Sequence, residues 1–153
     1  MTHVAAHGVR TTLPRGWEAR IFRRTEPGAA STHAVLHAAT FPVPHERGDF
    51  GAGAVELMGA DDVFVTLIEF HPDAAARTLF GTDGLPRALR PRDFDPHALQ
   101  RALPGQAGTQ LFFRHEGRAW CLYVVLGSYR NRVPLVARVN ELLATVDLSG
   151  MVS

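Results

Sequence analysis

Residues 118–146 read RAWCLYVVLGSYRNRVPLVARVNELLATV, and this stretch decides the fold. Its first part, residues 119–126, is a run of apolar, aromatic and β-branched side chains. The run is too short to span a membrane as a helix, and its composition suits a buried strand. Gly127 and Ser128 punctuate it, and Asn131 offers a helix cap. Val133, Leu135, Val136, Val139, Leu142, Leu143 and Val146 then recur at helical spacing. A central strand followed by an amphipathic helix lying back on the sheet is the simplest reading. The expected class is therefore α/β in the α+β sense. A mostly antiparallel sheet of about six strands is covered by the C-terminal helix.

Upstream, the chain supplies more sheet. Residues 110–115 (QLFFRH) read as a strand, joined to 118–126 by Glu116-Gly117, a two-residue hairpin connection. Residues 63–70 (VFVTLIEF) form a nearly continuous apolar run, the signature of a strand buried on both faces. Residues 32–41 (THAVLHAATF) read as a third strand, although Ala, Leu and His also suit a helix. Residues 9–13 and 17–24 flank the turn signal Pro14-Arg15-Gly16 and read as a hairpin, with Trp17, Ala19, Ile21 and Arg23 on one face. Residues 1–7 and 149–153 read as tails and 25–31 as a loop, leaving a single domain over 8–148. Residues 71–108 break the pattern. They form an irregular excursion rich in Pro and Gly, with short elements expected only locally, as around 98–103. A segment of that length without firm structure is often functional.

Composition narrows the classes. The chain has 153 residues, 46% of them hydrophobic, enough for a real core. A formal net charge of +1 gives no nucleic-acid footprint. All 16 basic residues are Arg, which fits the coding bias of a high-GC bacterium and leaves a planar fork at every basic site. The single cysteine, Cys121, excludes an intramolecular disulfide or a multi-cysteine zinc site, and its apolar setting suits a small buried side chain. The N-terminus lacks a basic region followed by an apolar one, and no apolar run is long enough for membrane insertion. A cytoplasmic location is the expectation.

The element order resembles the α/β sandwich of Mog1/PsbP-like domains. The residues that carry the likeness are Leu13, Pro14, Gly16 and Trp17 at the opening turn, then Arg118, Leu122, Val124, Gly127 and the helix from Val133. Residues 71–108 have no counterpart in that pattern. The resemblance implies a binding role, in settings that range from small-GTPase regulation to photosystem support. It transfers no site residue to this chain, because none can be matched.

Few constellations carry chemistry. His33 and His37 stand four apart, as do His3 and His7, but HAVLH lacks the Glu of a metalloprotease helix. On a strand, His33 and His37 would be about 13 Å apart, too far for one ion. No metal and no cofactor is assigned. Ser128, Asp61-Asp62, Asp93 and Asp95 suit turns and caps.

The preferred reading is a non-enzymatic domain that binds another protein through Arg87, Arg90, Arg92, Leu89 and Phe94. The competing reading docks Leu85, Leu89 and Phe94 on the core. Asp93 and Asp95 offset the local charge and disfavour nucleic acid. A second hypothesis is a small-molecule-binding protein or hydrolase-like enzyme, with His71, His97, Arg87 and Gln106 in a pocket between the sheet and the excursion. A third is a homo-oligomeric structural subunit.

Overall fold

The computed structural model describes residues 2–25, 32–98 and 103–150. The connection expected at 25–31, the piece expected around 98–103 and the last residues of the C-terminal tail lie largely outside them. Among these residues are seven strands, one α-helix and four short 3-10 turns; the longer elements are β1 (Thr2–Ala6), β2 (Val9–Leu13), β3 (Glu18–Thr25), β4 (Thr32–Ala39), β5 (Val63–Phe70), β6 (Ala107–His115), β7 (Arg118–Leu126) and α1 (Arg132–Leu143). Five strands make one antiparallel sheet in the order β3-β4-β5-β7-β6, and β1 and β2 make a separate hairpin. The fold is thus mixed α+β, with its strands divided between two antiparallel sheets.

β5 and β7 pair along their full length at the centre, and almost every residue of both is buried. Alternation along the strands makes two faces. On the inner face, Leu36, Val65, Leu67, Leu122 and Val124 meet Leu135, Val136, Val139, Leu142 and Leu143 of α1. Val133, read as part of this stripe, is instead exposed, and Asn131 makes no side-chain cap. Ser128 Oγ accepts the Asn131 N–H in that turn.

The N-terminus departs from expectation. Residues 2–6 are a strand, not a tail, and β2 pairs with β1 rather than with β3. His7 and Gly8 both have positive φ, the geometry of a tight hairpin turn, as do Glu116 and Gly117 between β6 and β7. The Pro14-Arg15-Gly16-Trp17 turn carries the chain from the small hairpin to the large sheet. β2 lies on the inner layer, where Val9 and Leu13 join the core. Its far edge pairs with the chain after α1 through reciprocal backbone bonds between Arg10 and Asp147.

Arg118 of β7 fastens this layer to the sheet. Arg118 Nε donates to Glu69 Oε2 at 2.7 Å, and Glu69 Oε1 accepts the Ala34 N–H. Arg118 also reaches the Leu148 carbonyl and lies over Trp120. Glu69 is 6% exposed, so its charge needs these partners.

The excursion is a docked strap. Gly84 and Thr82 bond to the backbone of Arg114, and Asp95 to that of Gly108, so the strap covers the free edge of β6 at two points. Between them, Leu89 and Phe94 enter the inner core. Asn140 of α1 accepts the Leu89 N–H and donates to the Leu89 carbonyl, at 3.0 and 2.9 Å. Arg87 donates to the carbonyl of Leu143, the last residue of α1, where a cation is favourable. Truncating Leu89 or Phe94 to Ala is expected to destabilise the domain by about 2–5 kcal/mol. Asn140→Ala should cost about 1–3 kcal/mol. Urea denaturation of the three variants checks both figures, and wild-type midpoints would show that the strap is not part of the core.

Candidate functional site

The residues singled out from sequence are not brought together. Gln106 precedes β6 at the end of the sheet where Ala107, Leu126 and Val63 align, and its amide donates to the Val55 carbonyl. His71 follows Phe70 at the opposite end, about 25 Å away at ~3.3 Å per residue, with its ring against His33. Arg87 is on the helix end, and His97 follows a turn in which Asp95 accepts its N–H. These four do not make the pocket expected of them. Of the residues read as a protein-binding patch, Leu89 and Phe94 are core, Arg87 caps α1 and Arg90 pairs with Asp93. Arg92 alone is exposed without such a role. The docked reading of this segment holds for Leu89 and Phe94.

The outer face of the sheet gathers polar groups instead. Pairing registers place Arg20, His37, Thr66, Tyr123 and Gln110 in one row across all five strands. The segment after β4 folds back over the first part of this row. Glu18 Oε1 accepts the Val43 N–H and anchors its start. Gly51 sits so close to Phe64 that a Cβ would lie 2.7 Å from the ring, and its φ is positive. That pairing of space and backbone admits only glycine. Nearby, the Asp49 carbonyl accepts from both His37 Nε2 and Thr66 Oγ1.

His37 then orients Arg47. With Nε2 donating to Asp49, Nδ1 is left as an acceptor, and it takes the Arg47 Nε–H at 2.7 Å. Arg47 Nη1 donates to the Pro44 and His45 carbonyls, and the guanidinium lies 5.5 Å from the Phe22 ring centre. This arrangement needs a neutral imidazole. Burial lowers the His37 pKa from its usual 6.5 to about 4, with the Asp49 bond opposing and the Arg47 charge assisting.

The outcome is a groove of about 470 Å³ at the sheet edge, lined by Arg20, Ile21, Phe22, His45 and Arg47. Among the described residues Arg20 has no hydrogen bond or ion pair, and Arg47 Nη2 has no hydrogen bond. Burial first, and the Arg20 charge second, lower the Arg47 pKa, with Glu18 partly compensating. Two guanidinium groups thus share one concave surface. Asp49 of the same loop leans toward Arg24 at 3.8 Å. The site is not legible in the sequence because Arg20 and Arg47 are far apart in the chain. Its faint signal was His45-Glu46-Arg47 between Pro44 and Gly48, opposite a strand dense in Arg.

Elsewhere on this face, burial pushes the Cys121 thiol up to about 11, so it is protonated and a weak nucleophile at neutral pH. His33 and His37 point from the same side of β4 to different partners. Among the described residues no helix is long and apolar enough to cross a membrane, and no cluster of His, Cys, Asp or Glu could hold a metal.

No family model, curated protein or solved structure matches the chain.

The His37 shift has a definite sign. The unfolded chain binds this proton below about 6.5 and the folded one only below about 4. Stability from this group is complete above pH 6.5 and is lost as pH falls toward 4, by about 3 kcal/mol. Urea unfolding across pH 4–7 should show that loss, and His37→Gln should remove it from the wild-type profile. Parallel profiles for the two proteins would refute the assignment.

Proposed function

We propose that this chain is a binding domain whose ligand presents an anionic group to the Arg20–Arg47 groove. The observation that carries this reading is the pair of guanidinium groups facing one cavity whose lining, among the described residues, includes no carboxylate. Like charges held together on a partly desolvated surface are unfavourable until an anion joins them. A guanidinium with its Nη2 face open offers the planar fork that carboxylates and phosphates accept. The Phe22 ring adds an apolar wall. The loop is pinned at Glu18, His37 and Thr66 before any ligand arrives, so little ordering cost remains.

The sequence resemblance supports the same role by analogy. An α+β sandwich of Mog1/PsbP-like type would serve as a binding module rather than a catalyst. A cytoplasmic setting belongs to the same proposal. The binding surface moves from the strap, where Leu89 and Phe94 serve the core, to the opposite edge of the sheet.

Arginine Nε–H resonances provide the test, with inorganic phosphate and glutarate as probes. Arg20 and Arg47 should shift saturably, with affinity falling as NaCl rises. Arg20→Gln, at an exposed position, should weaken the response at least fivefold, or about 1 kcal/mol, without changing the fold. Resonances of Arg20 and Arg47 that ignore both anions would remove the proposal.

A further inference from the structure

Resting on the anionic-ligand reading of the groove, we infer that the natural ligand is an extended acidic segment of another protein, which adds to the large sheet along β3. Four observations converge on this partner. β3 is the sheet's terminal strand, and among the described residues its only strand partner is β4. The groove runs along that strand. Ile21 lines it even though its side chain packs on the inner core, which brings the strand's backbone to the groove wall. A small anion would use the guanidinium groups and leave that backbone unused.

Side-chain spacing supplies the third observation. Residues on one face of an added strand recur every ~6.6 Å, and each lies opposite a residue of β3. On the outer face, an acidic side chain opposite Arg20 would lie beside Arg47. The next side chain on that face would meet the Phe22 ring. The expected pattern is therefore acidic, any residue, apolar. Backbone pairing would supply affinity, and the groove would supply selectivity.

The fourth observation is what the edge repels. Charged residues on a terminal strand normally block further pairing, and Arg20 and Arg23 act in this way against neutral or basic strands. The same charges attract an acidic strand, so the edge is selective rather than closed. A second copy of this chain, paired antiparallel about the Ile21–Phe22 bond, would set Arg20 against Arg23. That disfavours self-pairing at this edge. Arg47 is the distinguishing feature: protecting an edge requires no second guanidinium held from a separate loop by His37.

The test uses the intact chain and the peptide acetyl-Thr-Glu-Thr-Val-Thr-Glu-Thr-amide, whose palindromic pattern fits either strand direction. Calorimetry compares it with glutarate, with its Glu→Gln analogue, and with a version N-methylated at the two internal Thr nitrogens. The expected results are binding at least tenfold tighter than glutarate and at least tenfold weakening by each change. Slowed amide exchange at outward-facing β3 positions should accompany binding. Equal affinity for the N-methylated peptide, or no gain over glutarate, would overturn strand addition while leaving the anion site intact. Failure of the peptide, glutarate and phosphate alike to perturb Arg20 would overturn both readings. Arg20→Gln should weaken the acidic peptide and leave the weak binding of its Gln analogue unchanged. Equal losses for both peptides would show that charge does not select the partner.

Discussion

The central strands β5 and β7 are buried on both faces, so the chain must cover its sheet twice. One amphipathic helix covers one face at most. α1, β2 and the strap share the inner side, and their apolar side chains form one continuous core. Among the described residues no second α-helix covers the other side. Short 3-10 turns and irregular chain cover it, in two separate apolar clusters: one beneath residues 41–58 and one around Phe70, Phe80 and Phe112. Irregular backbone carries polar groups that need partners when buried. The sheet supplies those partners from its own face, through His37 and Thr66. The polar row on the outer face follows from closing a two-sided sheet with loops.

Closing the inner layer raises a related problem, and it is solved with a charge. β2 and the chain after α1 bond to one another through backbone groups, while their link to the large sheet is mainly side-chain packing. Arg118, held by Glu69, adds a directional tie to that layer through the Leu148 carbonyl. Because Glu69 also receives a backbone N–H of β4, the pair joins β4, β5 and β7 to the Leu148 carbonyl. Replacing such a pair with apolar side chains need not cost stability, but removing one partner strands a buried charge. What the pair offers beyond packing is position.

Sequence legibility follows the same division. The strands at 63–70 and 118–126 and the helix after them stand out because regular elements facing a core show a period. The Glu116-Gly117 turn was legible by its type. His7-Gly8 is a turn of the same geometry, but its first residue is not the Asn or Asp that usually signals it. Without that signal residues 1–7 resemble a tail, and β2 lacks a visible partner other than β3. In the strap, Leu89 and Phe94 obey no period, because irregular chain presents side chains by local geometry rather than by repeat. Proline and glycine marked the segment as irregular. They said nothing about whether it was docked, and the deciding partner, Asn140, lies on α1. The groove was harder still, because it exists only once β3 and the segment after β4 are brought together.

The protonation state of His37 links covering the sheet to presenting the groove. A charged imidazole could not accept the Arg47 Nε–H and would add a positive charge beside two others. Burial against Phe22 and Phe64 keeps the ring neutral, and neutrality leaves Nδ1 with a lone pair directed at Arg47. The Asp49 carbonyl fixes the tautomer from the other side. Packing therefore determines a hydrogen-bonding role, and that role fixes where a cation sits at the surface. The Arg20 charge needs no such support, since it projects from a regular strand whose register already places it. One guanidinium is placed by secondary structure and the other by a buried imidazole. The two meet at the one edge of the large sheet that the strap leaves uncovered.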